Sequence, residues 1–495
     1  MVMSAQFCPF VNRPGLRFSR FVPPLVLLPA VLLTAGCGSG SGTRTSFSGN
    51  TTAVVLASST ANDQLVQFPL TLNSLTLTNQ SGKTVTLFSA PVSAEFIHLN
   101  GNLEPLTTVS IPQDIYTSAS AAYGGTSPVC VGLASPSGGF LIDGSLNGPG
   151  TPSVTVNLPA PIEVTGAAMG LVLNLQVSES APFSGGCVQN LSVPVSPVFD
   201  LTPVVIAAQP TNSANGKALG LEGAIASIGA TGTGFTVSAP YGYFNGKPPT
   251  WQVSTNGSTV FQGIGSISGL STGMPVDMDV ALQADGSLMA TRVAVYDTDA
   301  TNLSLSVGQV TLADPSQSNV YGLTAQSVGN VSEMFDIFGY GNATSQISGQ
   351  FTNLQNLPFV ATFNAADTVA GQNILATSNA PPVNGFEPLP LPLVTITLMP
   401  QAINGTVSAI STSDGFTTYT VTLAPYELFA ELAVLPGQPA LTSPNTVVVY
   451  ADSNTQTLNS SSVSVGGVFR FYGLVFNDNG TLRMDCAQVN DGVAE

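Results

Sequence analysis

Charge is what this chain lacks. Of its 495 residues only 7% are Asp, Glu, Lys or Arg, against about 25% in an ordinary soluble domain. The shortage is lopsided, with ten Lys and Arg against 27 Asp and Glu. No basic face is available to neutralise phosphates, so nucleic acid is excluded as a natural partner. Glu, Lys and Arg also wet the outer side of surface helices. Their scarcity, beside 50 Gly, 36 Pro and abundant Val and Thr, favours strands and turns. The expected fold class is all-β. One histidine and five cysteines leave too few ligands for a zinc site. No calcium loop with a spaced glycine and a closing glutamate is present. No metal or cofactor is expected.

Acidic residues are missing altogether from the first 36 positions, which carry Arg13, Arg17 and Arg20 and then an apolar run from Phe21 to Leu33. Charge followed by hydrophobe is the order of a secretory signal, and a run of about 13 residues is too short to span a bilayer. It ends in Leu33-Thr34-Ala35-Gly36-Cys37, which resembles the bacterial lipobox, where signal peptidase cuts before a cysteine already carrying a diacylglycerol. The resemblance implies a signal peptide over 1–36 and lipidation of Cys37 as the mature N-terminus. It also implies attachment to a membrane through acyl chains, each buried methylene contributing about 0.8 kcal/mol. Gly38-Ser39-Gly40-Ser41-Gly42 opens a flexible tether over 37–49. Gly38 is not the aspartate that retains lipoproteins in the inner membrane of some bacteria, so the outer membrane is the expected location. All 27 acidic residues follow Cys37 against seven basic ones, a net charge of −20.

The mature length suits three or four domains. In the first, expected over 50–208, Thr52 to Leu56 starts a strand and Leu70 to Leu77 alternates apolar and polar with one buried face. Asn100-Gly101 and the Pro112-led stretch into Tyr116 mark turns. Four pieces, Ile97–Gly101, Ile111–Thr117, Leu171–Ser178 and Leu201–Val205, resemble in order a bacterial lipoprotein domain of unknown function found directly behind lipoboxes. That likeness implies a β-sandwich and no known activity. Asn174 and Gln176 stand where that family often has aspartates. Cys130 and Cys187 fall in this domain and either pair, stabilising it by roughly 2–4 kcal/mol, or remain two buried thiols. Cys486 is the odd one, expected in a buried strand.

Residues 209–220 are polar and turn-rich and read as a linker. Beyond them the chain repeats itself. Gly223–Ile228 with Gly234–Val237 recurs as Gly405–Ile410 with Gly415-Phe416 and Tyr419–Val421. Ala239-Pro240-Tyr241 and Phe244 recur as Ala424-Pro425-Tyr426 and Phe429. Leu270–Asp279 with Asp285–Leu288 recurs as Val463–Phe471 with Asn479–Leu482. The spacing of roughly 190 residues leaves room for a middle copy of about 95, read from Gln346–Gly349, Asn356–Phe363 and Asn373–Ala376. Three tandem small β-barrel-like modules are expected, over 221–300, 301–400 and 401–495, the middle one weakest. The pattern resembles an uncharacterised β domain that recurs in bacterial envelope proteins. The fragment 217–300 is expected to fold alone.

Candidate chemistry is sparse. Gly269-Leu270-Ser271-Thr272-Gly273 has the spacing of a nucleophile elbow, but Pro275 and the alternation behind it announce a strand where a hydrolase has a helix. His98, at a strand end, reads as a surface residue. Asp277 and Asp279 share one strand face, as do Asp297 and Asp299, and plain solvation accounts for both pairs better than calcium. No paired acids are singled out for glycoside hydrolysis. The most ligand-like feature is the aromatic run Tyr241, Tyr243, Phe244 and Trp251. It is either a platform for a sugar ring or peptide proline, or a minicore; the recurrence at Tyr426 and Phe429 favours the minicore. The expected protein is non-catalytic and lipid-anchored in the cell envelope. A sandwich nearest the membrane carries three modules outward, in a surface-structural role or binding an envelope glycan or protein. A glycan-binding protein, or an envelope hydrolase with a cleft of converging acids, is the alternative.

Overall fold

The computed structural model describes residues 47–491 except 61–64, 100, 127, 134–140, 146–152, 183–194, 205, 207–216, 240–248, 284, 299–303, 315–318, 329–334, 340–342, 350–353, 365, 380–390, 425–428, 430–438 and 458–461. Cys37 and the rest of 1–46 lie outside the described residues. So do Cys187, Tyr241, Tyr243, Phe244, Asp299, Tyr426 and the side chain of Cys130. Phe47–Glu495 form one compact unit, and it is all-β.

The N-terminal part is a sandwich. Its strands are β1 (Asn50–Ser59), β2 (Leu65–Gln67), β3 (Pro69–Asn79), β4 (Thr84–Phe88), β5 (Val92–Glu95), β6 (Glu104–Pro112), β7 (Asp114–Thr126), β8 (Val129–Leu133), β9 (Leu141–Ser145), β10 (Ser153–Val156), β11 (Ile162–Val164), β12 (Ala168–Leu175) and β13 (Phe199–Val204), with one helical turn, α1 (Val177–Ser180). One sheet runs β13-β12-β1-β6. The other runs β10-β7-β3-β4, with β11 on β7 and β5 on β3, while β2-β8-β9 form a small third sheet. In β3, Leu70, Leu72, Leu75 and Leu77 all reach the core. The two polar residues between Leu72 and Leu75 break the alternation, and register shifts against β7 absorb them. β1 is buried on both faces, which suits its unbroken run Ala53-Val54-Val55-Leu56-Ala57. Ala53, Val55 and Ala57 enter the sandwich core, whereas Val54 and Leu56 point away from it into the next domain.

Three barrels follow among the described residues. The first has β14 (Lys217–Ile228), β15 (Gly234–Ser238), β16 (Thr250–Ser254), β17 (Val260–Gln262), β18 (Pro275–Leu282) and β19 (Leu288–Ala294). The second has β20 (Ser304–Asp314), β21 (Asn319–Val328), β22 (Phe335–Gly339), β23 (Thr344–Ile347), β24 (Asn373–Ser378) and β25 (Leu391–Leu398). The third has β26 (Gln401–Ser413), β27 (Phe416–Leu423), β28 (Thr446–Thr457), β29 (Val468–Asp478) and β30 (Thr481–Asp491). Setting aside the short β17 and β23, each barrel closes in the order 1-2-3-5-4-1, with its third and fifth strands parallel. This is the Greek-key arrangement of the OB-fold. The third barrel needs no extra strand, because the end of β28 itself pairs with β30 at Gln456 and Thr457, as β17 and β23 do in the other two.

Local chemistry explains the recurrent glycines. Gly223 and Gly405 occupy equivalent places on the first strand, where a Cβ would lie 2.4 Å from the Ser238 carbonyl oxygen and 2.3 Å from that of Thr422. Asp414-Gly415 and Asn479-Gly480 close hairpins with positive φ at both residues, the two-residue turn that Asp-Gly and Asn-Gly favour.

Three expectations are revised. β14 starts at Lys217, inside the stretch read as a linker. In the middle repeat, Asn356–Phe363 forms no strand, and the barrel's first strand lies earlier, at β20. The modules do not project outward in series: the indole Nε1–H of Trp251 donates to the Pro105 carbonyl of β6 at 2.8 Å, and the third barrel returns to the sandwich, its Arg470 guanidinium lying against Gly101. The isolated fragment 217–300 would therefore strip Val54, Leu56 and Val172 of the sandwich from the apolar cluster they share with the first barrel.

Candidate functional site: a buried charge cluster between the domains

In each barrel the fourth strand is covered on both faces. Along β18, Val276, Met278, Val280 and Leu282 fill the barrel, and Asp277 and Asp279 point outward. That outer face is dry: Asp277 is 0% exposed, which overturns its reading as a solvated residue. The ion it meets is Arg292, brought opposite Asp279 by the β18–β19 hairpin. Arg292 Nε and Nη2 donate to Asp279 Oδ2 and Asp277 Oδ2, both at 2.8 Å. The Tyr296 hydroxyl donates to Asp277 Oδ2 at 2.9 Å and meets Ser348 Oγ of the second barrel at the same distance. The Gly220 N–H donates to Asp279 Oδ1. Glu222 on β14 stands directly across from Asp277, and Tyr472 comes in from β29, its hydroxyl 2.9 Å from where a Gly220 Cβ would be.

The sandwich contributes a second group. Glu95 ends β5 and caps the turn behind it, its carboxylate accepting the N–H groups of Phe68, Ile97 and His98. The His98 ring lies between Glu95 Oε2, 3.0 Å from Nδ1, and Glu104 Oε2, 3.3 Å from Nε2. Both glutamates are buried and the histidine side chain is 28% exposed. His98 is thus a surface residue, as expected, but one held between two buried glutamates. With both ring nitrogens engaged, it has no lone pair to serve Ser271, which sits exposed in the turn before β18.

Charge is unevenly matched here: five carboxyls, Glu95, Glu104, Glu222, Asp277 and Asp279, face two cations. Burial disfavours the imidazolium, but the hydrogen bonds and charges of Glu104 and Glu95 outweigh it and hold the His98 pKa up at about 10. Burial pushes Glu222 up to about 8, with the Asp277 charge adding to it. Burial likewise raises Glu104 against the pull of His98, and raises Asp277 against the pull of Arg292. Asp277 Oδ1, Arg292 Nη1 and Glu104 Oε1 are buried without a hydrogen-bond partner.

The other fourth strands dock in the same way. On β24, Leu375 packs with Val307, Met399 and Tyr296, and the Thr377 hydroxyl donates to Asp297, which is therefore not a solvated acid either. On β29, Leu474 and Phe476 enter the core of the second barrel. Toward the sandwich, Arg470 and Tyr472 line a small cleft with Gly101, Asn102, Gln488 and Asn490. Gly101 has φ +89°, and a Cβ there would lie 1.6 Å from Arg470 Nη1, so the Asn-Gly turn makes room for the guanidinium.

Of the aromatic run, Trp251 is described and is 3% exposed, in the wall between the first barrel and the sandwich. Phe429 of the repeated pattern is buried in the third barrel. Cys486 is buried there too, and burial pushes its thiol well above the ordinary range. Among the described residues no three His, Cys, Asp or Glu side chains are placed to hold a metal ion. Sequence reasoning missed Arg292, yet a signal existed. Counting back across the Asp285-Gly286 turn pairs one of the seven basic residues with Asp279.

Residues 222–294, essentially the first barrel, match a family described as a domain of unknown function (DUF5666). No curated protein matches the chain.

Proposed function

We propose that this is a lipid-anchored bacterial envelope protein without catalytic activity, whose folded part is one rigid scaffold built from a sandwich and three barrels. The observation that carries this reading is where the charge is spent. In a chain so poor in charge, Asp277, Asp279, Arg292, Glu95, His98 and Glu104 are committed to ion pairs, one set within the sandwich and one within the first barrel. Side chains held in this way stiffen a scaffold and are not free to bind or turn over a substrate. The anchor reading rests on the leader and Cys37, and it is supported by a compact unit that begins at Phe47, behind a Gly/Ser stretch.

Cys37→Ser is expected to abolish incorporation of a labelled fatty-acid analogue and to move the protein from the membrane to the soluble fraction. Unchanged membrane retention would refute the anchor. A second reading, binding of an envelope glycan, draws on the barrel topology, since OB-type barrels use the face of their second and third strands for oligosaccharides. Saturable retention of the chain on an envelope glycan column would put that reading first.

A further inference from the structure

The charge cluster lies where the sandwich, the first barrel and the third barrel converge, and its acids outnumber its cations. Glu222 and Asp277 are directly opposed in an antiparallel pair, so their Cβ atoms stand about 4.5–5.5 Å apart. The one guanidinium beside them is already divided between Asp277 and Asp279. Asp277 Oδ1, buried and without a hydrogen-bond partner, is an acceptor left over. Two carboxylates this close, Asp277 fully buried and Glu222 half-buried, do not both ionise cheaply. The other groups acting on Glu222 are His98 and Glu104 from the sandwich and Arg292 from β19, while Tyr472 from β29 feels its charge. Of these only His98 is a further cation, and its ring is already engaged by Glu95 and Glu104.

We propose that this junction is a proton-operated clamp: Glu222 and Asp277 hold one proton between them when the seam between sandwich and first barrel is closed, and losing it to solvent at alkaline pH opens the seam. The proton leaves as water formed with hydroxide, and a second negative charge stays behind on the half-buried Glu222, opposite Asp277. The direction of the pH dependence follows. Glu222 is raised from 4.5 to about 8, so between those values the folded chain binds more protons than the unfolded one, and stability falls as pH rises. His98, raised from 6.5 to about 10, keeps its contribution below 6.5 and loses it toward 10, which adds in the same direction. Glu95, held low, acts on the acid side of this window.

Trp251 is the single tryptophan, and its hydrogen bond to the Pro105 carbonyl crosses this seam one residue from Glu104. Its emission reports closure. The full-length chain in detergent is titrated from about pH 5 to 9.5, with indole emission, iodide quenching and far-ultraviolet circular dichroism followed together. The expected result is blue, poorly quenched emission at acid and neutral pH, then a red shift and several-fold stronger quenching at the alkaline end while the strand signal persists. Glu222→Gln, which keeps the shape and cannot ionise, should hold the emission blue throughout. Emission that stays blue in the unaltered chain overturns the clamp. So does a red shift at the same pH in Glu222→Gln, or loss of emission and strand signal together. The titration of the unaltered chain decides alone if the variant does not fold.

Discussion

Replacing Arg292 with methionine is expected to destabilise the folded chain by about 3–5 kcal/mol, because removing one partner of a buried ion pair leaves the other charge dry and unmatched. Here two aspartates lose their guanidinium at once. Nothing else described near them is a free cation, and Tyr296 can donate only one hydrogen bond. Urea unfolding followed through Trp251 reads the loss directly. The companion variant carries Asp277→Asn and Asp279→Asn with Arg292→Met and should recover most of the stability, since an uncharged set has far less to desolvate. The single variant should also lose less in mild acid, because burial already raises Asp277 and protonation removes its charge. A single variant no less stable than the parent would mean that the pairs are exposed to water.

The second large effect is expected at Phe476. This side chain belongs by sequence to the third barrel and by packing to the second, where it is fully buried with Leu474 beside Ile374, Ile396 and Leu398. Its ring centroid lies 5.7 Å from that of Phe359. Phe476→Ala should cost about 3–5 kcal/mol, the usual range for a buried phenylalanine. The more telling outcome is that both barrels weaken together. The Gln372 side chain donates across the same boundary to the Val475 carbonyl, and Gln401 donates back to Gly371, so the boundary is satisfied in polar as well as apolar terms. Hydrogen exchange should show raised rates in β24 and β25 as well as in β29 and β30. A rise confined to the third barrel would contradict the packing described.

Much of the strand content was legible because period-two alternation is a local property. Val276, Met278 and Val280 announce their strand whatever covers its other side. What alternation cannot tell is whether the alternate face meets water or another domain. Asp277 and Asp279 read as a wet face, and they are polar because they meet Arg292 and Tyr296. The same limit hid Glu95 and Glu104, which carry no pattern of their own and matter only because the chain turns back at His98. Repeats were visible where glycine was forced, at Gly223 and Gly405, and at the Asn479-Gly480 turn. The middle copy was misplaced within its span because Gly308 and the strand around it share little with those anchors. Closure in the order 1-2-3-5-4-1 and the return of Arg470 to Gly101 are long-range pairings without a local trace.

The central claim, that sandwich and barrels are welded into one body, is tested most directly by scanning calorimetry of the full-length chain near neutral pH. The account predicts a single transition, with calorimetric and van't Hoff enthalpies in agreement for the whole folded unit. Several resolved transitions, or a calorimetric enthalpy several times the van't Hoff value, would contradict it and return the chain to a string of independent modules.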